Sequence, residues 1–387
     1  MKQERVDVAV IGGGIQGAGV VQAAAAAGYS VVLVEKNGLA SATSSKSSKL
    51  IHGGLRYLQQ GRVRMVREAL KDRQVLLRVA PHLVRLNDFY IPIYRHSHYR
   101  PWQIRSGLLL YALLAGIRRD AVFSQVPRQA WSALAIETQG LQAVFRYSDG
   151  QTDDQLLTQA VARSAVLLGA RLREHTCVLS AIADREGYVV HLGSGDVIHS
   201  RVVVNAAGPW VNQVADTIQP PPEQLDISLV QGSHLVLERQ LSRQCFYVES
   251  PDDGRAIFIL PWRNKTLLGT TERIFTGDPA RVIVSEDEED YLLRTLAHYF
   301  PAYVRGGVSV CERMAGVRVL PASTGATFAV SREMRLVQSW VGQAGYIGIY
   351  GGKLTGYRSQ AAKVVALIKA HLGERVARAD TATLSLT

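Results

Sequence analysis

The chain opens with a strand, a glycine-rich turn and a helix, and this order constrains the fold more than any other feature. The apolar run Val6 to Ile11 predicts a buried strand. The alanine-rich run Ile15 to Ala27 predicts a helix that Gly28 can end in the left-handed conformation. A second strand is predicted from Ser30 to Val34. This order indicates a βαβ unit and therefore a parallel α/β sheet.

The turn between the first strand and the helix has the spacing GxGxxG. Gly12, Gly14 and Gly17 occupy the three glycine positions. The first permits the turn, the second lets the backbone approach a pyrophosphate, and the third lets the helix pack on the strand. The helix N-terminus attracts the anion. Glu35, at the end of the next strand, is placed to accept hydrogen bonds from ribose hydroxyls, so the pattern predicts a bound dinucleotide.

Two further stretches of small residues favour FAD over NAD as that dinucleotide. Asn205 to Pro209 and Tyr350 to Thr355 would both let the backbone approach an extended cofactor. The segment Ser41 to Lys49 (SATSSKSSK) has the composition of a flexible linker, yet it runs directly into LIHGGLRYL. We therefore interpret it as a loop that lines the ligand site.

The rest of the chain predicts a second α/β section and an antiparallel sheet. A helix-like segment from Gly150 to Arg173 precedes the apolar strand Val202 to Ala207. Between Leu229 and Thr271 the alternation of residues and the turn signals are typical of antiparallel strands. Amphipathic patterns predict helices from Val63 to Val79 and from Tyr357 to Leu372.

Composition disfavours several classes of partner. The net charge of +11, from 44 basic and 33 acidic residues, suits an anion such as a phosphorylated substrate or an acidic lipid. The basic residues form no nucleic-acid motif, so we expect no nucleic acid as a partner. No metal is predicted, because the cysteines and histidines lack ligand spacing; those considered are Cys177, Cys245, Cys311, His96 and His98.

The sequence also bears on location. The polar start, Met1 to Arg5, leaves no room for a signal peptide, which predicts a cytoplasmic protein. The apolar run Gly107 to Ile117 would span roughly 16 Å as a helix, about half of a bilayer core. Arg105 and the pair Arg118-Arg119 flank this run and suit shallow docking on an anionic membrane surface. An ordinary buried helix explains the run equally well.

Seven strings along nearly the whole chain match one family in order and spacing. They are VIGGGIQGAG at Val10 to Gly19, ATSSKSSKLIHGGLRYL at Ala42 to Leu58, NAAGPWV at Asn205 to Val211, QGSHLVL at Gln231 to Leu237, LGTTE at Leu268 to Glu272, AGVRVLP at Ala315 to Pro321, and YGGKLTGYR at Tyr350 to Arg358. On these strings the chain resembles the FAD-dependent glycerol-3-phosphate dehydrogenases, which are flavoproteins of D-amino-acid-oxidase type.

The resemblance implies an α/β fold with a Rossmann-like FAD-binding domain of the glutathione-reductase type and a discontinuous antiparallel-sheet substrate domain. Family members usually continue into a C-terminal helical domain, whereas this chain stops at Thr387, so a short form without that domain is expected. The expected FAD-binding domain comprises residues 1–80, 145–225 and 335–387, and the expected substrate domain comprises residues 81–144 and 226–334.

The resemblance also implies which residues contact FAD. They come from the glycine-rich turn, the end of the second strand, the serine-rich loop and the two small-residue stretches. They are Gly12, Gly14, Ile15, Gln16, Gly17, Glu35, Lys36, Thr43, Ser44, Ser45, Ser48, Lys49, Leu50, His52, Gly53, Val178, Ala207, Gly208, Gly352, Lys353, Leu354 and Thr355.

The implied reaction is the oxidation of sn-glycerol 3-phosphate to dihydroxyacetone phosphate, by hydride transfer from C2 to flavin N5, with electrons passed to a quinone or similar acceptor. The implied substrate group is Arg56, Tyr57, His234, Arg318, Arg332 and Lys353, of which His234, Arg318 and Lys353 are the catalytic candidates. Arginine's fork suits phosphate oxygens. We expect His234 to take the C2 hydroxyl proton as a neutral imidazole near its ordinary pKa.

Two alternatives remain open. One is an FAD-dependent oxidoreductase of the same fold that acts on a D-amino acid or a 2-hydroxy acid, whose carboxylate would need fewer arginines. The other is a flavin-binding, membrane-associated subunit without turnover.

Overall fold

The structure, a computed structural model, describes residues 2–59, 61–116, 121–321 and 333–386. Its strands are β1 Gln3–Ile11, β2 Val31–Val34, β3 Leu50–Ile51, β4 Val84–Tyr94, β5 Ser124–Gln125, β6 Leu141–Thr152, β7 Arg171–Arg173, β8 Val178–Ala183, β9 Tyr188–Leu192, β10 Val197–Asn205, β11 Ile218–Gln219, β12 Ile227–Leu237, β13 Cys245–Glu249, β14 Ala256–Trp262, β15 Lys265–Gly269, β16 Arg273–Ile274, β17 Val310–Pro321, β18 Arg335–Val341 and β19 Ala344–Tyr350. Its helices are α1 Ile15–Ala26, α2 Arg56–Gln59, α3 Val63–Val79, α4 Pro101–Leu114, α5 Asp154–Leu167, α6 Val211–Ala215, α7 Glu286–Tyr299, α8 Pro301–Arg305 and α9 Tyr357–Leu372.

The first sheet has a parallel centre in the order β7, β2, β1, β10, β19. Strand β9 pairs antiparallel with the first half of β10, and β18 pairs antiparallel with β19. Helices α1, α5 and α9 pack their apolar side chains on one face of this sheet and form one buried core with it. The sheet therefore carries the βαβ unit predicted at the N-terminus, and the ends of its central strands share one edge.

The second sheet runs in the order β16, β12, β15, β14, β13, β4, β6, β3, with β17 beside β12 and β5 beside β6. Its pairs are antiparallel except for β4 and β13, which run parallel with Cys245 opposite Phe89. The antiparallel strands predicted between Leu229 and Thr271 are confirmed as β12 to β15. The predicted turn after β14 is built from Arg263 and Asn264, whose φ angles are +50° and +62°.

The helices predicted over Val63–Val79 and Tyr357–Leu372 begin and end at the predicted residues. The helix predicted over residues 150–173 is shorter than expected. Strand β6 continues to Thr152, and Asp153 then caps α5 by accepting a hydrogen bond from the N–H of Leu156. The pattern was wrong at both ends because strand pairing extended β6 and gave the last three residues to β7.

The expected division into two domains stays a prediction. Strand β6 crosses its boundary at residues 144 and 145 and lies wholly in the second sheet. We therefore propose that this boundary falls after Thr152, so that all of β6 belongs to the substrate domain. Among the described strands, the FAD-binding domain then contributes only the short strand β3 to the second sheet.

Candidate functional site

A cavity of about 540 Å³, called here the long cavity, runs along the edge of the first sheet where its parallel strands end. The segments that follow β1, β2, β10 and β19 line it, at residues 12–16, 35–37, 206–210 and 351–355. Ligands of open α/β sheets bind outside the carboxyl ends of the strands. The long cavity therefore lies where the sequence predicts the dinucleotide.

The glycine-rich turn forms a cradle that a side chain would fill. Gly12 has a φ of +110°, and a Cβ there would lie 2.6 Å from the carbonyl oxygen of Ala206. A Cβ at Gly17 would lie 1.9 Å from the carbonyl oxygen of Gly12. Helix α1 begins at Ile15 after Gly14, so the N–H-rich end of the helix borders the long cavity. The N–H of Ile15 donates to Ser44 Oγ of the serine-rich loop at 2.9 Å. This cradle fits the pyrophosphate of a dinucleotide.

Glu35 borders the cavity at the end of β2. Its Oε2 accepts a hydrogen bond from the N–H of Gly13 at 2.6 Å, and its Oε1 accepts one from the N–H of Asn37 at 2.8 Å. A carboxylate can accept further hydrogen bonds, so ribose hydroxyls fit here. The next residue, Lys36, places Nζ 3.9 Å from the centre of the Trp210 ring, and both residues line the cavity.

The serine-rich loop 41–49 is ordered by a buried carboxylate at the start of α5. Asp154 Oδ2 accepts hydrogen bonds from the N–H and the hydroxyl of Ser47, at 2.9 and 2.7 Å. Asp154 Oδ1 lies 2.5 Å from Lys49 Nζ in a buried ion pair. Because the two buried charges form a pair, the protein avoids the large free-energy cost of an isolated buried ion. The loop is therefore a fixed wall of the cavity.

Most of the residues expected to contact FAD line the long cavity. They are Gly12, Gly14, Ile15, Gln16, Glu35, Lys36, Thr43, Ser44, Ser48, Leu50, His52, Gly53, Val178, Ala207, Gly208, Gly352, Lys353, Leu354 and Thr355. Three others lie behind its wall. Gly17 packs against Gly12, Ser45 Oγ donates to the carbonyl of Ala42 at 3.1 Å, and Lys49 is buried under the loop.

A second cavity of about 150 Å³, called here the small pocket, adjoins the long cavity. The two share the lining residues Ser48, Leu50, His52, Tyr57, Thr270 and Arg318. Three guanidinium groups line the small pocket, those of Arg56, Arg255 and Arg318. Aromatic side chains of the second sheet form much of the remaining wall; they are Phe89, Tyr147, Tyr247 and Phe258. The small pocket can therefore bind a small anion beside the cofactor site.

The residues expected around the substrate are divided between the two cavities. Arg56, Tyr57 and Arg318 line the small pocket. His234 and Lys353 line the long cavity, where Lys353 Nζ lies 3.8 Å from the centre of the Tyr57 ring. Arg332 lies outside the described residues. The structure thus brings two of the three described cations of this group into one pocket and places the third beside the cofactor.

His234 is buried in β12, with Nε2 2.9 Å from Ser48 Oγ. Burial, and after it the positive charges of Lys49 and Arg318, lowers its pKa to about 3. The expectation that this imidazole titrates near its ordinary pKa is therefore wrong. The cause is not local, because both cations come from other segments of the chain. At physiological pH the ring is neutral and is a weak proton acceptor.

His52 lies where the two cavities meet, and within the described part of the chain it is the histidine that lines both. Its backbone N–H donates to Thr355 Oγ1 at 3.1 Å. Its ring centre is 6.4 Å from that of Phe258, on the wall of the small pocket. An imidazole in this position can contact both a cofactor and a substrate.

The sequence analysis missed several residues of the small pocket, and Arg255 above all. This residue follows the turn at Asp252 to Gly254 and has the appearance of a turn residue, with Nε 3.0 Å from Asp253 Oδ2. Only the pairing of β14 with its neighbours brings it to the pocket. The aromatic wall likewise depends on pairing between distant strands, such as Phe89 with Tyr147. No local pattern marks these positions.

Comparisons with known proteins agree with this geometry. The chain matches the family described as FAD dependent oxidoreductase (DAO) over residues 7–358. It is 39% identical over 372 residues to a glycerol-3-phosphate dehydrogenase from Pseudomonas tolaasii, covering 94% of this chain and 71% of that protein. It is 37% identical over 373 residues to the D-erythritol 1-phosphate dehydrogenase of Brucella abortus, covering 92% and 72%. The structure of a glycerol-3-phosphate dehydrogenase from Bacillus halodurans complexed with FAD aligns with a TM-score of 0.75 at 28% identity, covering 99% of this chain and 68% of that one.

Replacing His234 by glutamine should change how stability depends on pH. A histidine of the unfolded chain has a pKa of about 6.5, whereas the pKa of His234 in the folded protein is about 3. Between these values only the unfolded state binds the proton. The stability contributed by the neutral ring is therefore fully present above about pH 6.5 and is lost as the pH falls towards 3.

Urea unfolding near pH 5 and near pH 7.5 checks this. We expect the free energy of unfolding to fall less at the lower pH in His234→Gln than in the wild type. His82→Gln, at an exposed histidine, is the matched control. The same fall in wild type and His234→Gln would show that the buried ring does not resist protonation.

Proposed function

The chain belongs to the family of FAD dependent oxidoreductases, and from that premise we propose that it oxidises sn-glycerol 3-phosphate to dihydroxyacetone phosphate. Family membership, the α/β fold and the FAD cofactor are confirmed as the sequence predicted. The choice of substrate is our inference. It is supported by relatives named for glycerol 3-phosphate and for D-erythritol 1-phosphate, both small phosphorylated alcohols.

The observation that carries the proposal is the guanidinium-lined small pocket beside the cofactor cavity. Arg56, Arg255 and Arg318 all line it. Arginine remains charged at any physiological pH and presents a rigid fork of donors that matches phosphate oxygens. Arg318 lies in β17, where it pairs with Val230 of β12, so its backbone is held by a strand ladder. A phosphate dianion suits this concentration of positive charge.

The division of labour in the reaction follows from the two cavities. The long cavity would hold FAD, which would supply the acceptor for the hydride that leaves C2 of the substrate. The arginines of the small pocket hold the phosphate, and Lys353 adds positive potential on the cofactor side. With its phosphate held in the small pocket, the substrate has its C2 alcohol at the junction of the two cavities.

The C2 hydroxyl proton needs an acceptor within hydrogen-bond reach of the substrate. We assign this role to His52 in place of His234. His52 lines both cavities, whereas His234 lines only the long cavity. The low pKa of His234, about 3, makes it a weak base at physiological pH. His234 instead holds the Ser48 hydroxyl, 2.9 Å from its Nε2, at the junction.

Replacing Arg318 by methionine tests the phosphate assignment. A charge-assisted hydrogen bond contributes about 1.5 to 3 kcal/mol, so KM for glycerol 3-phosphate should rise about 10- to 100-fold in Arg318→Met. Arg313→Met is the matched control, because Arg313 lies in the same strand but is half exposed and pairs with Glu289 at 2.6 Å. Its KM should equal that of the wild type. If Arg318→Met binds FAD and keeps the wild-type KM, the phosphate lies elsewhere.

We propose a quinone or a similarly apolar molecule as the electron acceptor. Helix α4 supports this, because it lies directly beside the cofactor cavity. The hydroxyl of Tyr111 in α4 accepts a hydrogen bond at 2.8 Å from the N–H of Gly53, which lines the long cavity. An apolar acceptor could approach the cofactor along this helix.

The outer face of α4 supports contact with a membrane. Trp102, Leu109 and Leu113 are 68%, 54% and 51% exposed, while Leu108 and Tyr111 on the other face are buried. An ordinary buried helix does not leave such a face open. No helix in the described ranges is long and apolar enough to cross a bilayer.

We propose that this face lies shallowly in an anionic membrane surface. The charge is complementary, since Arg105 on the helix and Arg100 at its start are exposed and the chain has a net charge of +11. The pair Arg118-Arg119, expected to flank the helix, lies outside the described residues.

Sedimentation with lipid vesicles tests this contact. The wild type should bind vesicles rich in phosphatidylglycerol more tightly than vesicles of phosphatidylcholine. The double variant Leu109→Ser/Leu113→Ser should bind at least about ten-fold more weakly, because each buried leucine contributes about 1.5 to 3 kcal/mol. Leu167→Ser/Leu179→Ser, at sites 78% and 58% exposed on other elements, should bind as the wild type does. Equal binding by both double variants would exclude α4 as the contact.

A further inference from the structure

The small pocket holds negative as well as positive charge, which an anion site does not need. Two carboxylates, those of Asp149 and Glu272, line it beside the three guanidinium groups. A carboxylate close to a phosphate weakens binding through like-charge repulsion. Each of the two therefore has either a role in the scaffold or a role towards the ligand.

Asp149 serves the scaffold. Its Oδ1 lies 2.7 Å from Nη1 of Arg73, a fully buried side chain, and its Oδ2 accepts a hydrogen bond from the Tyr111 hydroxyl at 2.7 Å. The same hydroxyl accepts the N–H of Gly53. Both carboxylate oxygens are thus bound by groups that fix the wall, and the charge of Asp149 is compensated away from the ligand.

Glu272 is held differently. It lies between β15 and β16, and its side chain is 7% exposed. Its Oε2 is 3.8 Å from Arg56 Nη1, which is an ion-pair contact but is too long for a hydrogen bond. Its main-chain carbonyl accepts a hydrogen bond from Arg255 Nη1 at 2.6 Å. Two of the pocket's arginines therefore hold this residue in the lining, one through its charge and one through its backbone.

A carboxylate has about four acceptor positions, so Glu272 can accept a hydrogen bond from an alcohol hydroxyl in addition to its contacts with the protein. The small pocket therefore combines donors for a phosphate with an acceptor for a hydroxyl. On the basis of the proposed function, we propose that Glu272 binds a substrate hydroxyl that is not oxidised, which in glycerol 3-phosphate is the C1 hydroxyl. This residue makes the site selective for polyol phosphates over phosphorylated alcohols that lack a further hydroxyl.

The competing role for Glu272 is that of a counter-ion that only keeps Arg56 in place. In that case its removal would weaken the binding of every phosphate ester to the same degree. A hydroxyl acceptor instead discriminates between substrates, so a ratio of two substrates separates the roles. The suitable pair is glycerol 3-phosphate and propane-1,2-diol 1-phosphate of matching configuration, which lacks only the C1 hydroxyl.

The experiment compares kcat/KM for these two esters in the wild type, Glu272→Gln, Glu272→Asp and the control Glu312→Gln, an exposed glutamate of β17. The wild type and the control should prefer glycerol 3-phosphate by about 10- to 100-fold, as expected for a hydrogen bond to a charged group. Glu272→Gln should reduce this preference to less than about three-fold. Glu272→Asp, which keeps the charge on a shorter side chain, should retain part of it.

The inhibition constant of inorganic phosphate gives a second readout. The counter-ion role predicts that it rises in Glu272→Gln, whereas the hydroxyl-acceptor role predicts that it stays the same or falls. Glu272→Gln removes a repulsive charge, so phosphate should inhibit at the same or a lower concentration than in the wild type. A higher inhibition constant with an unchanged substrate ratio would overturn the inference and assign Glu272 to the support of Arg56. If Glu272→Gln does not retain FAD, Glu272→Asp takes its place. An unchanged ratio of kcat/KM for the two esters, together with weaker inhibition by phosphate, would then overturn the inference.

Failure of the proposed function has a different signature. A wild-type protein that contains FAD but oxidises neither ester would overturn the substrate assignment, and this inference with it. A wild type that oxidises both esters equally well overturns the inference alone.

Discussion

The close approach of β1 and α1 at the glycine-rich turn is the constraint on which the site depends. No side chain fits at Gly17, where a Cβ would lie 1.9 Å from the Gly12 carbonyl oxygen. Glycine in a helix costs about 1 kcal/mol of helix stability relative to alanine. That cost allows α1 to approach the backbone at Gly12 closely. The contact sets the N-terminus of α1 at the edge of the sheet. Because β1 pairs with both β2 and β10, the segments after all three strands meet there and form one cavity for FAD.

The serine-rich loop joins this cavity to the second sheet. Asp154 holds the loop through Ser47 and Lys49, and the loop presents Ser48 to both cavities. The positive charge of Lys49 also helps to keep His234 neutral. One buried ion pair therefore both orders the serine-rich loop and lowers the pKa of His234. The charged side chains proposed to bind the substrate come from elsewhere, chiefly from β17 and from the segments flanking β14 and β15. The cofactor site is thus a property of the first sheet, and the substrate pocket is a property of its junction with the second.

Local patterns predicted the cofactor site better than the substrate pocket. The segments expected to contact FAD each follow one strand and carry their own signal in glycine or serine, as at Gly12 to Gly17. The ends of α3 and α9 were also predicted, because their apolar faces stop where the helices stop. The substrate pocket was only partly predicted, since Arg255 and Glu272 meet through strand pairing. The pKa of His234 could not be predicted, because burial and cations distant in sequence determine it. Pairing between distant segments is the information that the local sequence lacks.

The central claim is that FAD bound in the long cavity is reduced by a phosphorylated alcohol bound beside it. Anaerobic mixing of the FAD-containing protein with glycerol 3-phosphate, and separately with unphosphorylated glycerol, tests this most directly, with the visible absorbance of the flavin as the signal. We expect rapid bleaching by the phosphate ester and none by glycerol at the same concentration. Bleaching by neither, or by a D-amino acid or 2-hydroxy acid in place of the phosphate ester, would contradict it.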